Sequence, residues 1–189
     1  MVEFNQGYFT KTMLATIKTS FKANKELPSV QLQSFISKNA YNSLQKEISK
    51  LKFKNEYVVL HHRYARAELP VKLQKEFVSK ELVSFISSIT GKKIKKLSAI
   101  QLQSTSYQII DDRNLEKPGF DIIFDLSSDW DDSFGGSIVY VDGSGEYTKI
   151  PSQANSLLIV ERKKGVQKFI QYVNHHAQKK KRVFLIATI

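Results

Sequence analysis

The residues able to do chemistry fall into three kinds, and their spacing limits what each can do. Carboxylates bunch at Asp111-Asp112 and at Asp129, Asp131 and Asp132, while the four histidines form two adjacent pairs, His61-His62 and His175-His176. Cations cluster at Lys50, Lys52 and Lys54, at Lys92, Lys93, Lys95 and Lys96, at Arg162, Lys163, Lys164 and Lys168, and at Lys179, Lys180, Lys181 with Arg182. Carboxylate and imidazole are both metal-ligating groups. The triple-aspartate turn lacks the glycine and the distal Glu of a calcium loop, so a solvated acidic turn is expected. Asp111-Asp112 beside Asn114 is ordinary turn chemistry; if Asp112 were buried, it would need a cation such as Arg113 or Arg182. Adjacent strand residues face opposite sides, so at most one of His61 and His62 can enter a given pocket.

The positive charge is in excess as well as clustered: 29 Lys plus Arg against 18 Asp plus Glu give +11. Such an excess reads either as a Lys-rich solvated surface or as a surface that meets polyanions, and its clustering favours the second, because each neutralised phosphate releases condensed counterions. Phe53, Tyr57, Phe169 and Tyr172 are interleaved with the lysines and could stack the bases of a single strand. Residues 162–168 and 179–182 are expected to flank one strand pair and form a single surface, although no classical nucleic-acid-binding signature is present.

These groups must be positioned by elements that the hydrophobic periodicity marks out. Met13, Leu14, Ile17 and Phe21 put an amphipathic helix over residues 9–22. Residues 30–36 alternate as a half-buried strand, and Ser37 can cap a helix with the stripe Ala40, Leu44, Ile48 and Leu51. Residues 57–64 form a further strand, Leu69-Pro70 opens another helix, and Ser79 caps one that Gly91 stops. Six strand-like runs follow at 102–110, 120–126, 137–141, 156–161, 166–173 and 182–188, bounded by Gly, Pro, Asp and Ser. The pattern predicts an α+β, mainly β, chain: a jelly-roll or double-stranded β-helix with N-terminal helices packed on one sheet. One domain is expected over 1–189, with 1–98 as the N-terminal layer and 99–189 as the jelly-roll core.

No run reaches the roughly 18 to 20 apolar residues of a membrane span, and the N-terminus lacks a signal-peptide core. The absence of cysteine excludes disulfides and thiolate metal sites and fits a reducing, cytoplasmic setting.

The order of strand, acidic corner, strand, Trp130, Gly135-Gly136 and alternating strand resembles the prolyl-hydroxylase-like 2-oxoglutarate/Fe(II) oxygenases, in particular the branch acting on a ribosomal protein. The likeness runs from about Ser79 onward. Members of that family carry His-X-Asp at the corner and a second His late in the barrel; laid over this chain, these positions are Ile110, Asp112 and Ile170. The family's cosubstrate-binding Arg matches Arg182, while the hydroxyl two residues further on is replaced by Phe184. The resemblance therefore implies an oxygenase-like barrel without catalytic residues, without metal or cofactor, and with Arg182 as a vestige of cosubstrate binding. Its expected role is that of a basic module on RNA, a ribosome or another nucleoprotein, through Lys92, Lys93, Lys95, Lys96, Arg162, Lys163, Lys164, Lys168, Lys179, Lys180 and Lys181. The alternatives are an active hydroxylase using Fe(II) and 2-oxoglutarate, with Asp112 and one of His61, His62, His175 or His176, and a barrel that holds a protein partner.

Overall fold

A computed structural model describes residues 2–109 and 117–189. Its helices start where the sequence supplies a cap or a proline. In α1 (Lys11–Ala23), the Thr10 hydroxyl accepts from the Met13 amide. In α4 (Lys80–Thr90), Ser79 accepts from the Leu82 amide, and Gly91 ends the helix in the left-handed conformation at φ 71°. Pro70 precedes α3 (Val71–Phe77), and Ser37 stands at the start of α2 (Lys38–Ile48). There the expectation needs correcting: Ser37 makes no cap bond, and its hydroxyl donates instead to Glu3 Oε2.

The strands are β1 (Ser29–Gln33), β2 (Lys54–Val58), β3 (His62–Glu68), β4 (Ser98–Leu102), β5 (Tyr107–Gln108), β6 (Gly119–Asp125), β7 (Ile138–Val141), β8 (Tyr147–Ile150), β9 (Ser156–Arg162), β10 (Gln167–Ile170) and β11 (Arg182–Thr188). All pair antiparallel, in the order β1-β9-β6-β11-β4-β3-β5-β10-β7-β8, with β2 off this path and paired to β3. The sheet curls over on itself as the expected double-stranded β-helix.

Two faces of the long strands have different tasks. Ile122 and Phe124 on β6, Leu157 and Ile159 on β9, and Leu185 and Ala187 on β11 point outward to the helices, where they meet Phe21, Leu44, Phe77 and Ile86. Phe77 and Phe124 meet edge to face at 4.9 Å, and each such fully buried side chain contributes about 1.5–3 kcal/mol. The alternate residues Ile123, Leu158 and Phe184 point inward and meet Ile138 and Tyr140 of β7 and Ile170 of β10. Both faces of the central strands are therefore covered.

Three strand expectations are revised. Residues 57–64 are not one strand but the tip of the β2–β3 hairpin: the chain turns through Leu60 at φ 61°, with the His61 amide donating to the Val58 carbonyl. The run 102–110 divides into β4 and β5 around Thr105 at φ 70°, and β8 is an additional strand. The expected turn at Asn174 is present: its side chain accepts from the His176 amide and starts a single 3-10 turn carrying His175 and His176.

Candidate functional site

Side chains two apart on a strand share a face, so Asp121, Ile123 and Asp125 of β6 all enter the barrel. Buried carboxylates need cations, and each has one at the matching height. At the deep end Arg182, 1% exposed, donates from Nη2 to Asp125 Oδ2 at 2.8 Å and from Nη1 to the Gly136 carbonyl at 2.6 Å. Asp125 also accepts from the Ser127 and Gln153 amides and the Ser152 hydroxyl. Burial, and then the charge of Asp125, push the pKa of the nearby Tyr41 phenol up to about 12. Above this pair lies an apolar layer of Ile123, Leu158, Phe184, Ile138 and Ile170.

At the mouth Asp121, fully buried, is held by several donors. Lys168 Nζ reaches its Oδ2 at 3.0 Å, the Tyr140 hydroxyl reaches the same oxygen at 2.9 Å, and the Thr188 hydroxyl reaches Oδ1 at 2.8 Å. Arg162 Nε lies 3.2 Å from Oδ2, near enough for ion pairing but too bent for a hydrogen bond. Burial alone would raise the pKa of Asp121; Lys168, then Arg162, with the hydrogen bonds of Lys168 and Thr188, carry it below the ordinary carboxylate value. Burial, and then the charge of Asp121, push the Tyr140 phenol well upward.

This cluster forms the floor of a cavity of about 370 Å³, whose wall carries His62, Tyr64 and Arg66 along β3 and Lys117 opposite. His62 and Tyr64 stack at 4.7 Å with 19° between their planes. Of the histidines, His62 thus faces the barrel, His61 sits in the hairpin turn, and His175 and His176 are exposed beyond β10.

The expected site residues separate accordingly. Ile110 and Asp112 lie outside the described residues. Ile170 is in the apolar layer and brings no donor atom. Arg182, adjoining the lysine run 179–181, is half of an internal ion pair with Asp125. Asp131 accepts from the Ser133 amide in an exposed turn, with hydrogen bonds from Ser133 lowering its pKa. Among the described residues no three His, Asp or Glu side chains come together as a metal-ligand group.

The basic clusters do not form the single surface expected. Gly119 pairs with Arg162, and Ser98 pairs with Ile186, so Lys92 to Lys96, Lys117, Lys163 and Lys164 collect at the mouth end of the long strands. Lys179, Lys180 and Lys181 precede the other end of β11, roughly 20 Å away at about 3.3 Å per residue. Arg162 is buried against Asp121, and Lys168 is half-buried beside it. Lys92, Lys93, Lys95, Lys96, Lys163 and Lys164 are exposed, with Lys96 also paired to Glu68 at 2.7 Å.

Sequence reasoning missed Asp121 and Asp125 as site residues. Their signal is nonetheless there: two carboxylates four apart, with Ile123 between them on the same face, in a strand whose other face is also apolar.

The fold so defined is that of the 2-oxoglutarate/Fe(II) oxygenases. An oxidoreductase of the 2OG-Fe(II) oxygenase family from Burkholderia pseudomallei superposes with a TM-score of 0.72 at 10% identity, covering 95% of this chain and 91% of that one. A Pseudomonas putida prolyl-4-hydroxylase gives 0.69 at 10% identity, with 93% and 97% covered. HygX from Streptomyces hygroscopicus, whose structure contains nickel, 2-oxoglutarate and hygromycin B, gives 0.64 at 10% identity, with 94% and 85% covered. At these identities the likeness is one of fold. No protein-family model matches the chain, and no curated protein matches it by sequence.

The described residues do not fit an iron and 2-oxoglutarate pair placed as the resemblance implies. Ile170 cannot ligate, and both Nη atoms of Arg182 are engaged internally. Phe184, 1% exposed, stands between Arg182 and the mouth cavity, which is lined by Ile186 and Thr188 of the same strand.

Proposed function

We propose that this chain is an oxygenase-fold binding module without hydroxylase chemistry, acting on RNA or a ribonucleoprotein such as the ribosome. The observation that carries the reading is the Asp125–Arg182 pair: the arginine expected to receive a cosubstrate carboxylate already holds a protein one. A second carboxylate at Arg182 would have to displace Asp125 and leave it buried and unpaired, at a cost of several kcal/mol. The lysines gathered at the mouth end support a polyanion as the partner, since flexible ammonium groups track phosphates without demanding one geometry.

Anaerobic titration with Fe(II) and 2-oxoglutarate, followed by calorimetry and visible absorption, tests the loss of chemistry. No heat and no charge-transfer band are expected; stoichiometric binding with such a band would overturn it. For the partner, single-stranded RNA is expected to bind with an affinity that falls as salt rises, and salt-independent binding would contradict phosphate recognition.

An active Fe(II)/2-oxoglutarate hydroxylase with a rearranged site is the second reading. It is favoured by His62 at the mouth and by the fold shared with a protein that holds nickel and 2-oxoglutarate. Hydroxylation of a macromolecule that depends on iron and 2-oxoglutarate would establish it.

A further inference from the structure

We infer that the mouth cavity is a receptor for a nucleotide phosphate, with the phosphate on the floor cations and the base against Tyr64. This deepens the RNA reading and rests on it for the ligand class.

Charge is the first observation. Among the described residues, Arg66, Lys117, Arg162 and Lys168 line the cavity, against Asp121 in its floor and Glu56, which is hydrogen-bonded to Tyr64 of the wall. These two carboxylates leave the four cations in excess, and an ammonium has three donors, of which Asp121 takes one from Lys168. A phosphate carries the charge and the acceptor oxygens to meet that surplus.

Shape is the second. His62, Tyr64 and Arg66 occupy successive same-face positions on β3, so a stacked aromatic pair continues into a guanidinium about 7 Å further on. An aromatic face beside a cation is the arrangement that binds a base with its own phosphate. The volume, about 370 Å³, lies in the range of small-molecule sites, roughly 300–1,000 Å³. Tyr64 is half-buried and Arg66 exposed, so the stack is fixed in place while the cation can close on a ligand.

The free mononucleotide and the phosphorylated end of an RNA share this chemistry, and the experiment separates them. The full chain is titrated by calorimetry with a nucleoside monophosphate, with inorganic phosphate and with 2-oxoglutarate, and by anisotropy with a short RNA bearing or lacking a terminal phosphate. The monophosphate is expected to bind, inorganic phosphate about tenfold more weakly, and Arg66→Gln and Tyr64→Leu each to weaken the monophosphate about tenfold while leaving the melting temperature near that of the parent. Lys179→Gln, at the other end of β11, is expected to change nothing. RNA that binds equally with and without its terminal phosphate, and equally to both variants, would overturn the cavity site and leave the RNA reading standing. Monophosphate binding without any RNA binding would support the cavity and overturn the RNA reading. No monophosphate binding, or its displacement by 2-oxoglutarate, would overturn the inference.

Discussion

At the scale of single residues, the barrel interior is governed by two aspartates. Asp125 and Arg182 neutralise each other away from solvent, so Asp125→Ala or Arg182→Met should each destabilise the fold by about 3–5 kcal/mol, because each leaves the other charge unmatched. Chemical denaturation checks this, and the double substitution should cost less than the sum of the two singles. Asp121 makes a different prediction. Its folded-state pKa lies below the ordinary value of 3.8, so its ionised form contributes stability above that value, and the contribution is lost as pH falls through the lower folded-state pKa. Asp121→Asn should therefore be less stable at neutral pH and show a flatter loss of urea midpoint between about pH 5 and about pH 2. The two carboxylates were hard to read because DIIFD resembles a strand with polar ends until one knows that both of its faces are buried.

Elements follow the sequence most closely where a local rule suffices. The last strand, residues 182–188, and the helix stopped by Gly91 were legible, since an apolar alternation or a capping pair decides them. The hairpin tip was not: Tyr57, Val58, Val59 and Leu60 are β-formers without a turn residue, and Leu60 adopts a positive φ only because the strands on either side pair. Glycines separate the two situations experimentally. Gly91→Ala meets open space and should cost about 1 kcal/mol from its left-handed backbone alone. Gly135→Ala would drive a Cβ into the Tyr172 carbonyl oxygen where the chain bridges to Val173, and should cost about 2–4 kcal/mol. Thermal melts of the two variants compare them directly.

Over the whole molecule, pairing register decides which charges act together. The sequence shows four basic runs, but only long-range pairing reveals that those around 92–96 and 163–164 share an end with Lys117 while 179–181 do not. Replacing Lys163 and Lys164 by Gln should lower the slope of log affinity against log salt by about 0.7 for each phosphate of single-stranded RNA no longer neutralised. The same change at Lys179 and Lys180 should leave the slope nearly unchanged. The fold itself was legible from the rhythm of short strands; the inner layering of ion pair, apolar layer and cationic mouth was not, because it depends on which strands become neighbours.

The position of β11 also bears on how the chain reaches this state. It lies between β6 and β4, strands that precede it by tens of residues, and it hydrogen-bonds to both. Until residues 182–188 have been made, the sheet is divided into β1-β9-β6 and β4-β3-β5-β10-β7-β8, each with an unpaired apolar edge where β11 will insert. Folding is therefore expected to be a late, slow closure dominated by pairings between distant segments, and a nascent chain halted before β11 is the species most in need of a chaperone.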